Sequence, residues 1–140
     1  MNLVPRIALA AALTLAGGVS AQATCAPIDT PAANAGLEKI KADIAAGDYK
    51  AAFTGFEVSD DEKKMLTDQF AQAMGTDGSP CKTLRRLAHS PYFMNEIVLY
   101  EVAPTRLIYL VISGETDGDA FRLIDLSFTS KYHEVRPLMF

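Results

Sequence analysis

The side chains best equipped for chemistry lie late in the chain. ISGETDGDAF, Ile112 to Phe121, holds three acids and two glycines in ten residues. A calcium loop needs alternating oxygen ligands, a glycine after the third acid and a closing bidentate Glu. Glu115, Asp117 and Asp119 alternate, but Ala120 stands where the glycine belongs and Leu126 where the Glu belongs. The stretch therefore reads as a turn, with Asp117-Gly118 as its signal between two apolar strands.

Two more carboxylates, Asp125 and Glu101, are candidate general bases. In the simplest strand register they flank Ile108 on one face of a sheet, roughly 10 Å apart. An apolar wall raises a carboxyl pKa, which suits proton abstraction. The plainer alternative is a salt bridge to Arg106 at the sheet rim. His89 in LAHSPYF and His133 in SKYHEV are the two histidines. Either serves as a base if it lines a cavity, and either is otherwise a solvated rim residue. Ser90 precedes Pro91 and forms no nucleophile elbow. Arg85-Arg86 falls on an alternating strand, so one of the pair is expected inside and one in solvent. Tyr100 and Tyr109, with Arg106, are the expected ligand contacts, although aromatics at alternating strand positions also build cores and interfaces. With two His and two Cys in the chain, no metal site is expected. No cofactor motif is present, and no cofactor is expected.

The elements that position these residues begin after a leader. MNLVPRIALAAALTLAGGVSAQATCAP combines Arg6, an apolar run from Ile7 to Ala16 and an Ala21-Gln22-Ala23 site, the pattern of a secretory signal peptide. Gln22 and Thr24 do not fit a lipobox before Cys25. The expectation is residues 1–23 as signal peptide, cleaved near Ala23, and residues 24–140 as one domain, soluble in the periplasm or secreted. The run is too short and wrongly flanked for a membrane span. Acids outnumber Lys and Arg by 17 to 13 and no basic run occurs, which excludes nucleic acid and an anionic membrane surface as expected partners. Cys25 and Cys81 form an even pair in an oxidising compartment and are expected to be bonded. They are not in C-x-x-C spacing, so no thioredoxin-like role follows.

Thr30-Pro31 reads as a helix start, with Leu37, Ile40 and Ile44 at helical spacing and Gly47 as the stop. DYKAAFTGF is a short second helix or turn. Ser59 and Glu62 form a capping box for a helix carrying Met65, Leu66, Phe70, Ala73 and Met74 and ending at Gly75. Beyond GTDGSP, CKTLRRLAH, NEIVLYEV, RLIYLVIS and AFRLIDLSFT read as strands joined by hairpin-length loops. The expected fold is α+β, with two to three helices packed on a curved four-stranded antiparallel meander. Pairing Ser113 with Ala120 sets Leu110 opposite Leu123 and Ile108 opposite Asp125. Pairing Val102 with Leu107 sets Glu101 opposite Ile108. Both sheet faces are apolar in any register, so the second needs a cover: the helices wrapping round, a second subunit or a ligand.

The helix ending in AAGDYKAAF, the capped helix and a meander closing on DAFRLIDLSF resemble the NTF2-like, cystatin-like cone superfamily of α+β domains. Phe121, Leu123 and Leu126 stand where that group's last strand carries an aromatic and two aliphatic residues. The resemblance spans nearly all of residues 24–140 and implies a small exported cone-shaped domain. Some such domains are isomerases or dehydratases with Asp, Tyr or His at the open end, and many are non-catalytic. The expectation is a non-catalytic exported module binding a small apolar ligand or a periplasmic protein partner, as a homodimer through the outer sheet face. The alternative is a cofactor-independent isomerase or lyase using Asp125, Glu101 or His89. A third is an inhibitor-like or structural accessory protein held rigid by Cys25–Cys81.

Overall fold

A computed structural model describes residues 25–26, 28, 31–102 and 105–140, so the leader and its cleavage site lie outside the described residues. Strand β1 is Cys25–Ala26, followed by helices α1 (Ala35–Ala45), α2 (Tyr49–Ala52) and α3 (Asp60–Met74). The strands β2 (Cys81–Ser90), β3 (Phe93–Val102), β4 (Arg106–Asp117) and β5 (Ala120–Thr129) form an antiparallel meander. A short helix α4 (Tyr132–Val135) and a 3₁₀ turn, Arg136–Leu138, end the chain. The fold is α+β with the helices ahead of the four-stranded antiparallel meander, as the sequence implies, while the two-residue β1 precedes them and adds a parallel edge strand.

Helix punctuation explains the first half. The Ser59 and Glu62 side chains close a capping box at α3, whose first turn holds Asp60, Asp61 and Glu62 against the positive helix end. Gly75 stops it with φ at 75°. Asp48 caps α2. Helix α1 starts later than Thr30-Pro31 predicts: Thr30 lies outside the described residues, and the cap is Asn34. The reason is that Asn34 serves two elements. Its Oδ1 accepts from the Leu37 amide, while Nδ2 donates to the Gly118 and Ala120 carbonyls at 2.9 and 3.2 Å. The α1 start is thereby tied to the β4–β5 turn.

Strand register departs from the expected one. Asp117 pairs with Ala120, leaving Gly118-Asp119 as a two-residue turn with Gly118 at φ 57°, the positive value a type II′ hairpin demands of its first central residue. A bulge between Ser113 and Gly114 then leaves Ile124 unpaired, so Asp125 faces Ser113 and Leu110 faces Phe128. Across β3–β4, Val102 pairs with Arg106 and Glu101 with Leu107. The one-residue slip separates Tyr100 from Tyr109, which the sequence places on one face.

The helices cover one face of the sheet. Phe70 of α3 sits at the centre of that core, with ring centroids 5.7 Å from Tyr49, 5.0 Å from Phe53 and 4.7 Å from Phe128. Val98, Tyr100, Val102, Ile108 and Leu110 supply the sheet side, all buried. Each such side chain contributes about 1.5–3 kcal/mol by leaving water. Met74 belongs to this core, whereas Met65, expected there too, is 52% exposed, because its turn of α3 faces solvent.

The outer face acquires a cover that the sequence reading did not weigh: the chain's own C-terminal segment. Val135 is buried, the Tyr132 ring lies 6.0 Å from that of Tyr109, and the Arg85 guanidinium donates to the Leu138 carbonyl. At the β2 edge of the sheet, β1 runs parallel to β2 with Cys25 directly opposite Cys81. The two cysteines are bonded, with Cα atoms 4.3 Å apart. Among the described residues no helix is long and apolar enough to cross a membrane.

Candidate functional site

Four charges meet between α1 and the inner face of β2–β3. Leu37, Lys41 and Ile44 occupy one stripe of α1 at i, i+4 and i+7, so Lys41 is carried inward with its apolar neighbours and is fully buried. On β3, Glu96 alternates with Val98 and Tyr100 and takes the same inward face. Arg86 pairs with Glu96 across β2–β3.

The hydrogen bonds of this cluster close on themselves. Lys41 Nζ donates to Glu96 Oε2 at 2.7 Å, Thr83 Oγ1 at 2.7 Å and Glu38 Oε1 at 2.6 Å. Arg86 Nε donates to Glu96 Oε1, and its Nη2 reaches Glu38 Oε1 at 2.8 Å. Arg86 Nη1 donates to the Ile28 and Pro31 carbonyls at 2.8 and 3.0 Å. Two cations thus balance two anions, and all three Lys41 protons are engaged. Among the described residues no buried side-chain polar atom lacks a partner. The Lys41 ammonium has no free donor and Glu96 has both oxygens occupied, so these two groups anchor α1 to the sheet rather than meeting a ligand, while Arg86 holds the Ile28 and Pro31 carbonyls.

Tyr100 belongs to that closed region. It is fully buried and its hydroxyl donates to the Lys41 carbonyl at 3.2 Å. Burial, then the Glu96 and Glu38 charges, push its pKa well above the ordinary phenol value. It stays protonated and lines no cleft. Tyr109 faces the opposite side, beneath Tyr132.

The other residues singled out by the sequence are dispersed. Glu101 and Asp125 are exposed, and they pair with Leu107 and Ser113, six residues apart along β4 or ~20 Å. They do not flank Ile108. Arg106 donates to the Ala73 carbonyl and is not diagonal to Asp125, so the expected rim salt bridge is absent. His89 is exposed, its ring 5.7 Å from Phe93. Of the arginine pair, Arg86 points inward and Arg85 reaches the C-terminal turn. Among the described residues no group of three or more His, Cys, Asp or Glu is placed to hold a metal ion.

Where α1 and α2 pass the β5 edge they leave a cleft of about 360 Å³. Its walls include Ile40 of α1, Ala51 and Ala52 of α2, Phe56, and Phe121 and Leu123 of β5. Beneath them Leu37, Met94 and Ile112 form a second apolar core. The rim is polar: Lys39 Nζ donates to Asp43 Oδ2 at 2.6 Å. A volume of this order with an apolar lining suits a small ligand. Sequence reasoning placed Phe121 and Leu123 correctly in the last strand but missed the cleft, which depends on where α1 crosses.

No family model, curated protein or solved structure matches this chain.

Proposed function

We propose that the chain is an exported, non-catalytic binding module of the NTF2-like type, and that it holds a small apolar molecule in the α1–α2–β5 cleft. The observation carrying the reading is the pairing of an open apolar cleft with a polar cluster sealed by its own hydrogen bonds. One offers unpartnered apolar surface; in the other the buried Lys41 ammonium and both Glu96 oxygens are engaged, and the part-exposed Glu38 Oε2 is left without a hydrogen bond among the described residues. The leader pattern and the Cys25–Cys81 bond support an oxidising compartment. The isomerase or lyase alternative rests on Asp125, Glu101 and His89, which are exposed and line none of the cleft. A homodimer through the outer face would have to share Tyr109 with the C-terminal turn.

The test is titration with the neutral fluorophore N-phenyl-1-naphthylamine. Saturable enhancement is expected for the wild type. Gly55 borders the cleft, and a Cβ built there meets nothing within 4 Å. Gly55→Trp should therefore fill the cleft without disturbing the fold, and abolish the enhancement. Equal affinity in the two proteins, with matching circular dichroism, would overturn the reading.

A further inference from the structure

On the other side of α2, between it and α3, lies a separate cleft of about 490 Å³. Lys50, Lys63 and Lys64 converge on it from two helices, over a floor formed by Phe53 with Thr54 and Thr67 beside it. Asp60 stands at the rim as the one acid of the lining. Three lysines around one acid is the reverse of the chain as a whole, where acids exceed Lys and Arg by 17 to 13.

The three ammonium groups are not equally engaged. Lys64 Nζ lies 2.6 Å from Asp68 Oδ2 and is neutralised there. Lys63 Nζ donates only to the Thr54 carbonyl, at 3.3 Å, across the cleft. Lys50 has no ion pair among the described residues. An ammonium has three donors, so most of the Lys50 and Lys63 protons remain available. The threonines contribute no donors, because Thr54 Oγ1 donates to the Lys50 carbonyl and Thr67 Oγ1 to the Lys63 carbonyl. What the cleft offers is two positive point charges beside the Asp60 carboxylate, over an apolar floor of threonine methyls and lysine stems.

The geometry points to a site for a phosphate monoester carrying a small organic group. With Lys64 paired to Asp68, the Lys50 and Lys63 ammoniums face only the Asp60 carboxylate, so the lining stays net positive and favours an anion. Phosphate supplies several strong acceptor oxygens and nearly two negative charges at neutral pH. The cleft is far larger than a bare phosphate, and its floor is apolar, so the ester carries an organic moiety. The same group occurs on soluble metabolites and on phosphatidic acid, and the two sources are separable by experiment. This site shares no wall with the apolar cleft except Thr54, so the proposal stands apart from the apolar-ligand reading.

Phenyl phosphate is titrated into ¹⁵N-labelled protein, with phenol as the neutral control. In parallel, the protein is mixed with phosphatidylcholine vesicles with and without phosphatidic acid. Saturable shifts are expected at Lys50–Thr54 and Lys63–Thr67 with phenyl phosphate only. Lys50→Gln and Lys63→Gln should each weaken binding by about tenfold, the range of a charge-assisted hydrogen bond. Binding should also fall as salt rises. If phosphatidic acid vesicles bind instead, through the same two lysines, the phosphate group is that of a lipid. Absence of binding in both arms, equal shifts with phenol, or affinities unchanged in both lysine variants would overturn the proposal.

Discussion

Lys41→Met removes the centre of the buried cluster while nearly conserving volume. Three hydrogen bonds disappear, to Glu96, Thr83 and Glu38. Glu38 Oε1 retains Arg86, but Glu96 Oε2 keeps no donor and the cluster becomes net negative. Removing one partner of a buried pair costs about 3–5 kcal/mol, chiefly because the other charge stays buried. That is a large part of a domain stability of about 5–15 kcal/mol. The double variant Lys41→Met/Glu96→Leu restores neutrality: Arg86 keeps Glu38 and the Ile28 and Pro31 carbonyls. It should cost less than the two single variants summed, by at least about 2 kcal/mol of coupling. Urea unfolding followed by far-UV circular dichroism measures all four proteins, since the chain has no tryptophan. A single-variant loss below about 1 kcal/mol, or strict additivity, would refute the reasoning that charge balance holds the cluster together.

Two other predictions follow from the ends of the fold. The Cys25–Cys81 bond spans 56 residues, and replacing both by Ser should cost about 4 kcal/mol on the chain-entropy estimate; a loss under about 1 kcal/mol by denaturant titration would show that the tether constrains little. Ser59→Ala should cost about 1 kcal/mol at neutral pH through the lost cap. Hydrogen bonds from the Ser59 side chain and amide hold the Glu62 carboxyl below its ordinary value of 4.5. A depressed folded-state pKa gives stabilisation that is complete above the unfolded value and is lost as pH falls through the folded one. The Ser59→Ala penalty should therefore shrink as pH drops below 4.5, and an equal penalty at pH 7 and pH 3 would contradict the capping box as its source.

Local rules were legible because they depend on few residues. The Ser59–Glu62 box, the stops at Gly47 and Gly75, and the Asp117-Gly118 signal all operate within one turn, and α3 and the four strands of the meander lie where their patterns put them. The α1 start was not legible, because Asn34 is chosen by carbonyls at Gly118 and Ala120, more than eighty residues away. Nor was the register, which turns on a bulge that leaves Ile124 without a partner; every face assigned to β5 from a regular ladder fails beyond it. The buried cluster left a signal that went unread. Lys41 interrupts the Leu37–Ile44 stripe, and Glu96 interrupts the inward series of β3. A charge on an apolar periodicity needs a partner inside, and the two interruptions are each other's partners.

The cluster and the apolar cleft are joined through α1. Lys41 faces the sealed ion network, while Ile40, the preceding residue and about 100° around the helix, walls the cleft. At its N-terminal end the same helix is held to the β4–β5 turn by Asn34, and the Gly36 amide donates to the Asp119 carbonyl at 2.8 Å. Helix α1 is therefore pinned at its N-terminal turn and again at Lys41, against strands from opposite sides of the sheet, and the separation of Ile40 from Leu123 is set by those pins. Apolar contacts alone favour closing such a gap, because collapse removes more surface from water. Directional hydrogen bonds resist that sliding. The Lys41→Met/Glu96→Leu variant separates the two roles: it should retain most of the fold's stability while releasing the α1 position. N-phenyl-1-naphthylamine should then bind this variant less tightly than the wild type. Unchanged affinity in a protein of near wild-type stability would mean that the ion network stabilises α1 without fixing the cleft.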